Sequence, residues 1–195
     1  MNKIGIFGGS FNPPHFGHLI LAERCRELLQ LDKIIFIPAY ISPHKTNKNV
    51  VNPTDRLKML KLAIKRNPYF DYSDIEIKRK GKSFTYDTLV SLLNKYTNSK
   101  LYLLIGMDNY NDFCNWKNYK EILQLCKVVV INRRTTKNKR IENSNIDYSR
   151  FIFVDTLILD ISSTEIRNRI KKKLSIRYYT TENVKNFIVK NNLYI

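Results

Sequence analysis

GGSFNPPHFGH, residues 8–18, follows the short apolar run Ile4, Gly5, Ile6, Phe7 and precedes a helical pattern that starts near Leu19. A glycine-rich turn between a strand and a helix lets backbone N–H groups approach phosphate oxygens, and the helix N-terminus adds a partial positive charge. The stretch therefore reads as an anion cradle. Gly8 and Gly9 have no Cβ to hold a ligand off or to penalise a positive φ, while Pro13 and Pro14 stiffen the turn. His15 and His18 follow, close to where phosphates would lie. A zinc site is the rival reading of the two histidines. HExxH spacing is absent and no Cys or acidic residue lies nearby, so no metal ligand is assigned.

Working outward, 19–31 repeats apolar residues at helical spacing (Leu19, Ala22, Leu28, Leu29). The run 34–37, closed by Pro38, has the β-branched and aromatic content of a strand covered on both faces. Together these make a β-α-β unit whose phosphate loop sits at the carboxyl end of its first strand, where open α/β sheets place ligands. A loop over 39–52 carries Pro43, His44 and Lys45, and a helix over 53–65 follows with Asn52 as N-cap. The alternation in 73–78 predicts a strand. GKSFTYDTL, 81–89, enters a helix through Ser83 with Thr85 in its first turn, where free N–H groups suit a docking carboxylate as well as an ordinary cap.

The strand 101–105 ends in Gly106, Met107 and Asp108, and a carboxylate after a strand-end glycine suits ribose hydroxyls. Trp116 lies between Asn115 and Lys117, polar flanks that favour partial exposure and stacking on a planar ring. A helix at 121–125 leads to a strand at 128–131 and then to Arg133 and Arg134, whose forked guanidinium groups suit phosphate. Residues 135–149 read as an exposed loop, and 151–154 as another strand. In ISSTEIR, 161–167, Ser162 and Glu165 form a capping box, and its hydroxyls, free N–H groups and Arg167 make a second phosphate site. A last helix at 182–190 carries Val184, Phe187 and Ile188 at core spacing.

The length of 195 residues suits one domain spanning 1–195. A hydrophobic content of 43% with 26% charged residues excludes wholesale disorder. The net charge of +17 points to anionic partners: nucleotides, nucleic acid or a membrane surface. The same Lys and Asn enrichment also reads as compositional drift. Cys25, Cys114 and Cys126 are odd in number and lack CxxC pairing, as expected of reduced thiols. No apolar run reaches transmembrane length, and a motif starting at residue 8 leaves no room for a signal peptide. The expected location is the cytoplasm.

Taken together, GGSFNPPHFGH, Pro43-His44-Lys45, the stretch through Thr85, IGMD at 105–108, Trp116, Arg133 and ISSTEIR resemble, in order and spacing, the bacterial-type nicotinate-nucleotide adenylyltransferases of the HxGH nucleotidyltransferase superfamily. The resemblance implies an α/β fold, a Rossmann-like doubly wound parallel sheet, that binds ATP and nicotinate mononucleotide side by side. It implies that Gly8, Gly9, Ser10 and Phe11 form the ATP loop, and that His15, His18, Lys45 and Arg167 face phosphates as the catalytic set. Gly106 and Asp108 would face the ATP ribose, and Ser163 and Thr164 the polyphosphate. Thr85 and Trp116 would hold the nicotinate and Arg133 its nucleotide phosphate, with Lys45 nearby. Mg²⁺ is expected to arrive with ATP, carried mainly by phosphates and water.

Two positions depart from the pattern: Asn12 replaces an Asp, and Arg134 sits where a Pro is common, which leaves open which Arg acts. Phosphopantetheine adenylyltransferase, an alternative, shares the outer motifs but is not expected to share the Thr85 and Trp116 contexts. A nucleic-acid-binding module is the other alternative, but the aromatics are scattered and no RNP or zinc-knuckle pattern occurs. A nucleic-acid or membrane partner is therefore not expected, and a homo-oligomer is left open.

Overall fold

Ile34, Ile35, Phe36 and Ile37 are each no more than 1% exposed, so the apolar run is covered on both faces of a sheet. In the computed structural model, which describes residues 1–42, 50–133, 147–156 and 159–195, this run is β2 (Lys33–Pro38). It follows β1 (Asn2–Gly9) and α1 (Phe16–Leu29). The chain continues through α2 (Pro53–Ile64), β3 (Phe70–Tyr72), α3 (Ile75–Arg79), α4 (Thr85–Lys95), β4 (Ser99–Gly106), α5 (Met107–Asn111) and α6 (Tyr119–Leu125). It ends with β5 (Cys126–Arg133), β6 (Phe151–Thr156), α7 (Ser163–Lys171) and α8 (Glu182–Lys190). No helix among the described residues is long and apolar enough to cross a membrane.

The described strands form one sheet in the order β3-β2-β1-β4-β5-β6, and every pairing is parallel. Alternate residues of the strands feed two cores. Ile4, Ile6, Leu103, Ile105, Val128 and Val130 pack on one face with α4, while Ile34, Phe36, Leu104 and Val129 pack on the other with α1 and α2. The sheet is thus doubly wound, with helices on both faces as an all-parallel sheet requires. The chain leaves β1 in one direction for β2 and β3, then returns to β1's other side as β4. That reversal opens a crevice beyond the carboxyl ends of β1 and β4. A third cluster joins Met59 of α2 to Ile166, Ile176, Val184 and Ile188, which fastens α7 and α8 to the sheet layer.

Three expectations change. Residues 73–78 are not a strand: β3 is Phe70–Tyr72 and α3 occupies Ile75–Arg79. A short apolar alternation fits either period, and here the tertiary partners of Glu76 decide. The α4 helix is not capped by Ser83. Phe84 is its N-cap, and the Ser83 hydroxyl instead accepts from Tyr40 N at 2.9 Å. Finally, the positive φ in the phosphate loop falls on Phe11, at 46°, and not on Gly8 or Gly9. The segment with Pro43, His44 and Lys45, the candidate Arg134, and residues 135–146 of the expected loop lie outside the described residues.

Candidate active site

The crevice is a cleft of about 610 Å³, within the range of nucleotide-sized sites. All the residues singled out from the sequence line it except Lys45 and Arg133: Gly8, Gly9, Ser10, Phe11, His15, His18, Thr85, Gly106, Asp108, Trp116, Ser163, Thr164 and Arg167. Lys45 lies outside the described residues; Arg133 ends β5, and its side chain is likewise outside them.

The two histidines are locked to each other. His18 N–H donates to His15 O at 3.0 Å, and His15 N–H donates to His18 Nδ1 at 3.2 Å. A ring nitrogen that accepts from a backbone N–H carries no proton, so the His18 proton sits on Nε2. The rings stack with centroids 3.7 Å apart, and the Phe11 ring abuts His18 at 5.0 Å. Both histidines line the cleft, and His18, only partly buried where His15 is buried, is the more exposed of the two. Gly17 explains how the pair fits. A Cβ there would lie 2.9 Å from His15 Nδ1 and 3.5 Å from Ile161 O. Gly106 serves a similar need, since a Cβ there would stand 2.6 Å from the Asp108 carboxylate that folds back over the strand end.

The ISSTEIR stretch is joined to the first loop by hydrogen bonds. Ser163 Oγ donates to Pro13 O at 2.8 Å, Arg167 Nη1 donates to Asn12 O at 2.9 Å, and Arg167 Nη2 donates to Thr164 Oγ1 at 3.1 Å. Ser162 Oγ caps α7 by accepting from Glu165 N at 3.1 Å, while the Glu165 carboxylate pairs with Arg169. The cap is therefore present, and Glu165 has an ion-pair partner one turn on. Two helix starts, those of α1 and α7, flank the same loop, and the positive end of each helix dipole favours anions.

Across the cleft, Thr85 opens α4 and the cap residue Phe84 has no side-chain acceptor to occupy the first-turn N–H groups. Trp116 is half-buried against Phe113, with ring centroids 5.4 Å apart. Lys117 completes this wall, with its Nζ 4.7 Å from the Phe84 ring centroid and 3.5 Å from Asp87 Oδ2. Sequence reasoning passed over Lys117 as a flank of the tryptophan.

Other residues it missed sit behind the loops. Asn12 Oδ1 accepts from Val51 N at 3.2 Å and from Tyr194 Oη at 2.8 Å, so the turn needs an acceptor there and an Asn provides one. Burial pushes the Tyr194 phenol up, with Arg167 and Arg56 pulling the other way. Arg56 is 1% exposed, a charge on the apolar stripe of α2 beside Met59 and Leu60. That misplacement on the helix face was a legible signal. Among the described residues no three His, Cys, Asp or Glu side chains converge as a metal cage. The cleft offers phosphate donors, which suits a divalent ion held by phosphate oxygens and water.

The model of the cytidylyltransferase-like family matches residues 6–169 of this doubly wound sheet, with its two helix starts at the switch point, and so sets the chain among the nucleotidyltransferases. A Fusobacterium nucleatum protein named "Probable nicotinate-nucleotide adenylyltransferase" is 42% identical, over 96% of this chain and 97% of its own. One of the same name from Caldicellulosiruptor saccharolyticus is 40% identical over 98% of both chains. The chain belongs to the nicotinate-nucleotide adenylyltransferases of the cytidylyltransferase-like family. The Plasmodium falciparum nicotinic acid mononucleotide adenylyltransferase complexed with NaAD shares the fold, with a TM-score of 0.77 at 21% identity over 100% of this chain and 98% of that one.

Proposed function

We propose that this enzyme transfers the adenylyl group of ATP to nicotinate mononucleotide, giving nicotinate adenine dinucleotide and pyrophosphate. A phosphate oxygen of the mononucleotide attacks the α-phosphorus of ATP in line. A new P–O–P bond forms, the α–β bond breaks, and pyrophosphate leaves with the bonding electrons. The attacking monoester is already ionised at neutral pH, its second pKa being about 6. No general base is needed, and catalysis rests on positioning and charge stabilisation.

Each residue then has a part. The phosphate loop of Gly8, Gly9, Ser10 and Phe11 lies along the triphosphate, and His18 Nε2–H donates to the α-phosphate as charge grows there. His15 holds His18 in its tautomer and rotamer. Ser163, Thr164 and Arg167, with the α7 start, take the departing pyrophosphate, while Asp108 accepts from ribose hydroxyls over Gly106. Thr85 and the first-turn N–H groups of α4 hold the nicotinate carboxylate, Trp116 stacks on the ring, and Lys117 adds charge at the rim. Lys45 and Arg133 take the acceptor phosphate. A divalent ion such as Mg²⁺, bound with ATP, would be held by phosphate oxygens and water and not by a cage of side chains among the described residues, and would supply neutralisation of the triphosphate charge. The reaction and the buried thiols of Cys25 and Cys126, both pushed up to about 12 by burial, suit a cytoplasmic enzyme.

The observation that carries this reading is one cleft lined by the first loop and the start of α7 on one wall and by Thr85 and Trp116 on the other. Incubation with Mg-ATP and nicotinate mononucleotide, with products resolved by mass, tests it. Dinucleotide and pyrophosphate in equal amounts are expected. Consumption of ATP without dinucleotide contradicts it.

A further inference from the structure

Along the acceptor wall and beneath it lies a set of buried polar groups to which the transfer chemistry assigns no step. The Arg56 guanidinium donates from Nη1 to Ser10 O at 2.8 Å, from Nη2 to Tyr40 O at 3.0 Å and from Nε to Val51 O at 3.0 Å. Tyr40 N–H donates to Ser83 Oγ at 2.9 Å, and the Ser83 hydroxyl stands on the side of the Glu76 carboxylate, which is 7% exposed and which it helps to hold charged. Thr88 Oγ1 donates to Glu76 Oε1 at 2.7 Å and accepts from Arg79 Nη2 at 3.0 Å. Arg56 and Glu76, two buried groups of opposite charge, therefore flank the Tyr40–Ser83 contact from either side.

As a source of stability this arrangement is poor. Burial drives the Arg56 pKa down and the Glu76 pKa up, so each group resists its charged form. Well-packed apolar side chains of similar volume commonly stabilise a fold as well or better. What apolar side chains cannot do is bond to particular atoms at both ends. One end here is Ser10 O, in the phosphate loop; the other is the first turn of α4, which presents Thr85 to the cleft.

We propose that Arg56, Tyr40, Ser83 and Glu76 form a positioning relay that fixes the phosphate loop relative to the entrance of α4, and so sets the alignment of the acceptor phosphate with the α-phosphorus of ATP. The inference rests on the reading of the Thr85 wall as the acceptor pocket. In-line transfer depends steeply on this alignment, since a displacement of about 1 Å can cost roughly 10²-fold in rate. Arg56 does not line the cleft and Glu76 does so at only 7% exposure; the role assigned to both is to hold the loops that meet substrate.

The test compares Glu76→Leu, which keeps volume and removes the polar partner of Thr88 and Ser83, with Glu76→Gln, whose amide can still bond the Thr88 hydroxyl in either direction. With rates normalised to folded protein well below the melting point, Glu76→Leu should lower kcat by at least about tenfold. The KM for ATP should stay within about twofold, and the Gln variant should return kcat to within about threefold of the parent. If Glu76→Leu does not fold, Ser83→Ala removes the Tyr40–Ser83 contact and is held to the same outcome. A second arm needs no acceptor. Amide exchange across 84–88 is followed with and without ATP alone; ATP at the loop should slow it in the parent and leave it unchanged in the Leu variant. Failure of the parent to make dinucleotide removes the acceptor reading, and the exchange arm still decides the relay. Parent-like kcat in the Leu variant, or ATP-induced protection that survives in it, overturns the proposal.

Discussion

Gly17→Ala is expected to separate activity from stability. The added Cβ would sit 2.9 Å from His15 Nδ1 and 3.0 Å from Cε1, where ordinary contact begins at 3.4 Å, so the ring must recede by about half an ångström. There is little room to do so, because His15 is 7% exposed and the His18 ring lies with its centroid 3.7 Å away. Displacement therefore passes to His18, whose Nδ1 accepts from His15 N. If about 1 Å of misplacement costs roughly 10²-fold, half of that costs about tenfold in kcat. Stability should move much less. Replacing Gly by Ala inside a helix stabilises by roughly 0.5–1 kcal/mol, which offsets part of an overpacking cost of about 1–3 kcal/mol. Steady-state kinetics and urea unfolding of the same preparations give both numbers. A kcat within twofold of the parent, in folded protein, would refute the claim that Gly17 is there to seat the histidine pair.

Three further outcomes are expected. His18→Ala should lower kcat by roughly 10²–10³ with little change in the KM for ATP, because its Nε2–H acts on charge that grows in the transition state; a value within about threefold would remove it from that role. Lys117→Met should lower kcat/KM for nicotinate mononucleotide by about three- to fivefold, the scale of a rim charge, and leave nicotinamide mononucleotide unaffected; equal losses for both would assign Lys117 to packing. Burial raises the Glu76 carboxyl above its ordinary 4.5 by more than Thr88, Ser83, Arg79 and Arg56 lower it. The folded protein thus holds more protons than the unfolded chain just above pH 4.5, and stability falls as pH rises through that window. Glu76→Gln removes this dependence, so its urea midpoint relative to the parent should be higher at pH 7 than at pH 4. An offset equal at both pH values contradicts the shift.

Those features that belong to local pattern were legible in the sequence, and those that depend on distant backbone were not. The unit from β1 to β2 could be read because a both-faces-buried strand and a glycine-rich turn leave dense signals within thirty-odd residues. The phase of α1 was harder. The helix lies on the sheet through Gly17, Ala22 and Cys25, small residues that permit close approach, and Leu28 is 53% exposed although its spacing suggested burial. Ser83, Glu76, Arg56 and Tyr194 escaped for one reason. Tyr40 N for Ser83, Ser10 O and Tyr40 O for Arg56, and Asn12 for Tyr194 lie far off in sequence, and the nearer contacts of Arg56 with Val51 and of Glu76 with Thr88 follow no local period. Of these only Arg56, a charge at buried helical spacing, announced an anomaly.

The central claim is that the Thr85 and Trp116 wall selects a carboxylate-bearing ring. A carboxylate presents only acceptors to the first-turn N–H groups of α4, whereas an amide would turn its NH₂ toward donors and bring no charge. Discrimination on the order of 10²-fold or more is expected from such a site. The direct measurement is kcat/KM for nicotinate and nicotinamide mononucleotides under identical Mg-ATP, repeated in Trp116→Ala. The acid should be preferred by about 10²-fold, with Trp116→Ala weakening both substrates and leaving the ratio nearly unchanged. Equal values for acid and amide in the parent enzyme would contradict it.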